Sequence, residues 1–325
     1  MIDNFNRKIN YLRISVTDRC NLRCVYCMPP EGVKHTPHWE ILSLEEIRRV
    51  VDAASDVGVR KIRITGGEPL VRKNILDLFQ YISANPNIDD ISLTTNGVMF
   101  ADMAEELKKA GLNRVNFSLD SLVAENFKDI TRVGKFDDAW RGIQKALELD
   151  LHPVKLNVVA VRGVNDQEFA DFARLSRELP LHVRFIELMP IGECNPWAVR
   201  NFIAAEEIMQ CLQQEFGALE TEIKVTGSGP AKYYRLPGAK GTIGFITAIS
   251  EHFCGTCNRL RLTANGQLRP CLYGNQEFDL KAPLRNGDGR QKLAELIAKA
   301  IRHKPNQHHM EDGWTDRRVM SQIGG

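Results

Sequence analysis

Long apolar runs are missing from these 325 residues: none reaches the ~18 that would suggest a membrane-spanning helix. The start, Met1-Ile-Asp-Asn-Phe-Asn-Arg-Lys8, has no apolar core segment and so does not read as a signal peptide. An excess of one charge is missing too. A net charge of +2 gives no long-range argument for nucleic acid or membrane, so any anion site must be local. A reducing cytoplasm is the expected location, which suits free thiolates. The last scarcity is a fourth cysteine. Eight cysteines fall into two groups of three and two singles, Cys194 and Cys211, which are expected to be buried apolar residues. A group of three leaves one thiol unpaired, so neither group reads as a disulfide.

The first group is Cys20-Asn-Leu-Arg-Cys24-Val-Tyr-Cys27, directly after the strand-like run Tyr11–Val16. Three thiolates at this spacing hold three corners of a [4Fe-4S] cube. Ordinary electron-transfer clusters take four cysteines; three leave one iron open to a small molecule, which fits a cluster that does chemistry. Zinc is the competing reading of clustered cysteines. It prefers sets that add up to four, and no histidine follows until His35 and His38, beyond Pro29, Pro30 and Gly32.

The length allows two domains, or one barrel-sized domain with an appendage. Between residues 10 and 190 strand-like and helix-like stretches alternate, which predicts a parallel sheet with helices outside. The strands are Tyr11–Val16, Lys61–Thr65, Ile91–Thr95, Arg114–Leu119, Val154–Val161 and Val183–Leu188. The helices are Leu44–Val57, Ile75–Ala84, Asp102–Ala110, Phe136–Leu149 and Gln167–Leu179. Six units fall short of the eight of a closed barrel. The expected fold class is therefore α/β: a partial (β/α)6 TIM-type barrel over residues 1–190, with a smaller C-terminal iron–sulfur domain over residues 191–325.

Doubly buried parallel strands usually read as unbroken apolar runs, but these alternate. Leu12 and Ile14, Ile62 and Ile64, Phe117 and Leu119, Leu156 and Val158 share one face. Arg13 and Ser15, Arg63 and Thr65, Thr94 and Asn96, Ser118 and Asp120, Lys155 and Asn157 share the other. The apolar set should meet the helices, which points the polar set inward and makes the interior a cavity for a charged ligand. Thr65-Gly-Gly-Glu-Pro69, Asn96-Gly97 and Asp120-Ser121 follow the second, third and fourth strands, where barrel active sites lie.

The second group is Cys254-Gly-Thr-Cys257-Asn-Arg-Leu-Arg261 with Cys271 further on, again three without a fourth. Structural zinc, with His252 completing a Cys3His set, stays open here. Arg259 and Arg261 lie on one side of an extended chain and suit phosphate. With Arg13, Arg63 and Lys155 they would make five cations around one cavity, a costly arrangement unless an anion such as a triphosphate compensates it. The sequence stops at Gly324-Gly325, either a frayed end or a tail slim enough for a narrow channel.

The first triplet resembles that of the radical S-adenosylmethionine (radical SAM) enzymes. Together with Gly-Gly-Glu-Pro, Thr-Thr-Asn-Gly, Arg-Phe-Ile-Glu-Leu-Met189, the second triplet with Asn-Arg-Leu-Arg261, and the Gly-Gly end, it resembles the GTP 3′,8-cyclase family. That resemblance runs from about Tyr11 to Gly325. It implies two [4Fe-4S] clusters, on Cys20, Cys24 and Cys27 and on Cys254, Cys257 and Cys271. SAM would bind the first cluster, with Gly67 and Glu68 receiving its ammonium group, Ser118 its carboxylate end, and Tyr26 and Met189 beside the adenosine. GTP would bind the second, held by Arg13, Arg63, Thr94, Lys155, Arg259, Leu260 and Arg261.

The reaction implied is SAM cleavage, hydrogen abstraction from ribose C3′ and closure onto guanine C8, giving (8S)-3′,8-cyclo-7,8-dihydroguanosine 5′-triphosphate for molybdenum cofactor biosynthesis. Arg259 and Arg261 would assist it, and Gly324 and Gly325 would reach toward the site. The expected partners are GTP, a reductant protein and a downstream enzyme forming the pterin phosphate, with no nucleic acid and no membrane. The chain would be a monomer or homodimer. The competing readings are a peptide-modifying radical SAM enzyme with auxiliary clusters and a non-enzymatic zinc module.

Overall fold

The structure, a computed structural model, describes residues 1–192, 195–222, 229–308, 316 and 318–323. Strands β1 (Tyr11–Ser15), β2 (Lys61–Thr65), β3 (Asp90–Thr95), β4 (Arg114–Ser118), β5 (Val154–Ala160) and β6 (Leu181–Glu187) are laid down in chain order. Between them run α1 (Leu44–Asp56), α2 (Ile75–Ser83), α3 (Phe100–Lys109), the pair α4 (Ala124–Thr131) and α5 (Phe136–Glu148), and α6 (Phe169–Glu178). Beyond β6 come α7 (Asn195–Arg200), α8 (Ala205–Phe216), β7 (Glu220–Glu222), β8 (Lys232–Arg235), β9 (Thr242–Ile246), β10 (Arg259–Leu262), β11 (Gln267–Arg269), β12 (Phe278–Asp279), α9 (Lys281–Arg285) and α10 (Arg290–Arg302).

All twelve strands form one sheet in the order β12-β11-β10-β1-β2-β3-β4-β5-β6-β9-β8-β7. From β10 to β9 every neighbouring pair is parallel, so eight parallel strands make the partial barrel and two antiparallel ribbons flank it. The six sequential strands were legible from the alternation. Strands β9 and β10, which lengthen the parallel run at its two ends, were not, because their partners lie far away in the chain. The short α4 was missed as well.

Local chemistry explains the elements. Helix α1 starts at a capping box in which the Ser43 hydroxyl accepts from Glu46 N and the Glu46 carboxylate accepts from Ser43 N. Its inward stripe, Leu44, Ile47, Val50, Val51 and Ala54, is buried. The apolar face of the strands behaves as expected: Leu12, Ile14, Ile62, Ile64, Phe117, Leu119, Leu156 and Val158 are all at 1% exposure or less. Burying each such side chain contributes about 1.5–3 kcal/mol. The polar set therefore has only the interior to occupy. Cys211 corrects an expectation: it is exposed. The buried stripe of α8 is Ala205, Ile208 and Leu212, and position 211 falls outside it. Cys194 lies outside the described residues, and so do Gly324 and Gly325. No helix among the described residues is long and apolar enough to cross a membrane.

Candidate active site

The loop after β1 is built to hold three thiols. Val16 N donates to Thr65 O at 2.9 Å, and Cys27 N and Met28 N both donate to Cys24 O at 2.9 and 3.1 Å. The end of α4 grips the loop from outside: Arg23 N donates to Thr131 O and Val25 N to Ile130 O, each at 3.0 Å. Arg132, at φ +64°, turns its guanidinium back onto Arg23 O (2.7 Å) and Met28 O (2.9 Å). Burial pushes the Cys20 thiol up to about 11. It raises Cys24 well above the usual thiol range too, with the nearby Asp120, Cys27 and Cys20 adding to the effect. Crowded, half-buried thiols whose pKa is raised, as at Cys20 and Cys24, favour protons over thiolate charge until a metal replaces the protons. Such a donor set fits an iron–sulfur cluster.

The residues expected around SAM gather at the same mouth of the barrel. Gly67 is required by a close backbone approach. A Cβ there would stand 2.3 Å from Arg19 O, and its N–H donates to Thr17 O at 2.8 Å. Glu68 is fully buried, and its carboxylate accepts from Leu70 N (3.1 Å), Thr95 Oγ1 (2.8 Å) and Asn96 N (2.8 Å). Burial lifts it to about 7 against those three bonds. Glu68 thus fastens the end of β2 to the end of β3. The Tyr26 hydroxyl donates to Asp120 Oδ2 at 2.6 Å. Ser118 closes β4 and Met189 follows β6; both are half-buried.

Between the two mouths the interior is cationic. Strand register puts Arg261 opposite Arg13 and Arg13 opposite Arg63 on three adjacent strands, which lie about 4.8 Å apart. A second register row carries Thr94, Asn116, Lys155 and His182, and a third Ser118, Asn157 and Arg184. Arg63, Lys155, Arg184 and Arg261 are at 8% exposure or less. Burial and then Arg184, Arg114 and Arg63 pull Lys155 down to about 6. Burial and then Arg259 lower Arg261 to about 10. The Nε atoms of Arg63 and Arg184 are buried with no hydrogen-bond partner among the described residues. Arg184 escaped the sequence reading, although the alternation Val183-Arg184-Phe185 carries the same signal as the other strands. Opposite it Gly244 offers no side chain; a Cβ there would meet the Tyr233 ring at 2.9 Å.

The second cysteine set lies at the other mouth, since Arg259 pairs with Tyr11 at the start of β1. The four steps along the five residues of β1, at ~3.3 Å each, separate the two mouths by roughly 13 Å. An open cavity is lined by Cys254, Cys257, Cys271, Arg259, Arg261 and Met189. Leu260, buried between the two arginines, faces away from that cavity and into the core. Cys257 is lowered to about 6, Arg259 and then Lys304 overcoming the effect of burial. His252 packs edge-on against His308, with ring centroids 4.3 Å apart. Among the described residues no three His, Cys, Asp or Glu side chains share single-ion geometry.

Residues 14–176 match the radical SAM superfamily and residues 181–310 the family described as Molybdenum Cofactor Synthesis C. The chain is 82% identical over its full length, and the relative's, to the GTP 3′,8-cyclase of Desulforamulus reducens (strain ATCC BAA-1160 / DSM 100696 / MI-1). It is 59% identical, again over all of both chains, to that of Pelotomaculum thermopropionicum (strain DSM 13744 / JCM 10971 / SI). The chain belongs to the GTP 3′,8-cyclase family. Membership of the radical SAM superfamily implies a [4Fe-4S] cluster and SAM. The fold likeness extends to SuiB of Streptococcus suis bound to S-adenosylmethionine (TM-score 0.60, 15% identity, 87% of this chain and 66% of that one). It extends also to anSMEcpe with bound AdoMet (TM-score 0.52, 14% identity, 90% of this chain and 80% of that one).

Proposed function

We propose that this chain converts GTP to (8S)-3′,8-cyclo-7,8-dihydroguanosine 5′-triphosphate. One observation carries the reading: buried cations line the interior between two three-thiol sets, so a polyanion belongs between two metal sites. Cys20, Cys24 and Cys27 hold the SAM-cleaving cluster, with Tyr26, Gly67, Glu68, Ser118 and Met189 around SAM. When reduced, that cluster with SAM supplies abstraction of hydrogen from ribose C3′. Cys254, Cys257 and Cys271 hold a second cluster at the guanine end. Arg13, Arg63, Thr94, Lys155, Arg259 and Arg261 bind the nucleotide, Arg184 joins them, and Leu260 holds the two arginines in register. Fixing C3′ close to the reacting carbon is the chain's main catalytic contribution. Gly324 and Gly325 assist turnover, residues 1–190 and 191–325 act as the two halves of the enzyme, and a reductant protein and a pterin-forming enzyme stand on either side of the reaction in the cytoplasm.

Anaerobic turnover with SAM, a strong reductant and GTP deuterated at C3′ tests the proposal. Deuterium will appear in 5′-deoxyadenosine. Its absence, or faster turnover with ATP or a peptide, overturns the reading.

Lys155 gives a second test. Its pKa, lowered to about 6, leaves it largely neutral at pH 7.5. A bound triphosphate favours the ammonium, so binding will take up a proton and affinity will strengthen as pH falls from 8 toward 6. Calorimetry in buffers of different ionisation enthalpy will register the uptake, and Lys155→Met will remove the part due to this residue.

A further inference from the structure

The segment after α10 contains one buried lysine that the nucleotide site does not use. Lys304 is 3% exposed. Its Nζ donates to Arg259 O at 2.9 Å and to Pro270 O at 2.6 Å. The first carbonyl lies two residues past Cys257 and the second belongs to the residue before Cys271. The same ammonium lies beside Cys257, close enough for the two to interact electrostatically, and lines the cavity shared by the three cysteines. The third cysteine is tied to this segment from the other end of the chain. Arg7, itself paired with Asp3, donates to Cys254 O (2.8 Å), Pro305 O (2.7 Å) and Asn306 O (3.0 Å). Residues 304–306 therefore form a strap that both terminal regions use to hold the three ligand-bearing segments.

We infer that Lys304 is a positioning residue for the second cluster, pinning Cys257 and Cys271 at fixed separation and raising the cluster's reduction potential with its charge. A buried ammonium is costly unless charge compensates it; a cluster on thiolates, anionic overall, does so. Cluster potentials respond to net charge, hydrogen bonds to sulfur and solvent exposure, and Lys304 acts on the first. A positive charge beside the cluster favours its more negative, reduced state.

The inference rests on the second-cluster reading above, and wild-type full-length protein tests that first. After anaerobic loading it should hold about eight irons, four per cluster. About four irons, or zinc at the second set, refutes the cluster reading and this inference together. Potentiometric titration followed by electron paramagnetic resonance then separates the two sites, because SAM perturbs only the first. Lys304→Gln keeps donors but not charge. It should retain eight irons while the second cluster becomes about tenfold harder to reduce, a shift of ~59 mV for one electron, with the first cluster unmoved. Lys304→Arg should restore the wild-type value. An unchanged second potential in Lys304→Gln overturns the inference, as does loss of that cluster from both variants. Loss in Lys304→Gln alone, with retention in Lys304→Arg, supports it.

Discussion

Replacing Cys24 with alanine will cost anaerobically loaded protein about four iron atoms per chain, and will end formation of 5′-deoxyadenosine from SAM. The apo protein will fold as before. The loop around Cys24 is shaped by backbone bonds that alanine keeps: Cys24 O accepts from Cys27 N and Met28 N, and Val25 N donates to Ile130 O. Burial already holds the thiol neutral, with pKa raised well above normal, so its removal leaves no charge stranded. What disappears is one of three corners, and two thiolates with one open iron more cannot hold the cube. Iron analysis, melting and chromatography of the SAM products check each part. Retained SAM cleavage in this variant would sink the assignment of the first site.

Arg184→Leu will move stability and activity in opposite directions. The guanidinium is 4% exposed, and burial followed by repulsion from Arg63 lowers its pKa. Leucine removes both costs, so the melting temperature of the apo protein will hold or rise by a few degrees. A triphosphate between the register rows would take two charge-assisted hydrogen bonds from this residue, each worth about 1.5–3 kcal/mol. kcat/KM for GTP should therefore fall about 100-fold or more. SAM cleavage without GTP, measured alongside, separates a nucleotide defect from a SAM defect, because Arg184 shares its register row with Ser118. A variant that melts earlier yet turns over GTP normally would mark Arg184 as structural. This trade-off is the general signature of a site that stores like charge for a ligand to neutralise.

How far the sequence speaks about this protein can be judged residue by residue. The three cysteines in eight residues, and the alternation Leu12-Arg13-Ile14, Ile62-Arg63-Ile64 and Leu156-Asn157-Val158, are local patterns. A strand's two-residue period makes the inward face readable without knowing any partner. The barrel, its polar interior and the two cysteine sets followed from that. The register did not. That Arg261 lies beside Arg13 depends on β10 pairing with β1 across almost 250 residues, and no periodicity within either strand encodes which neighbour it takes. The same holds for Lys304, Arg132 and Arg7, whose partners are backbone carbonyls. Any residue offers a carbonyl, so such bonds leave no trace in side-chain pattern, and only the folded chain brings these cations to the cysteine loops.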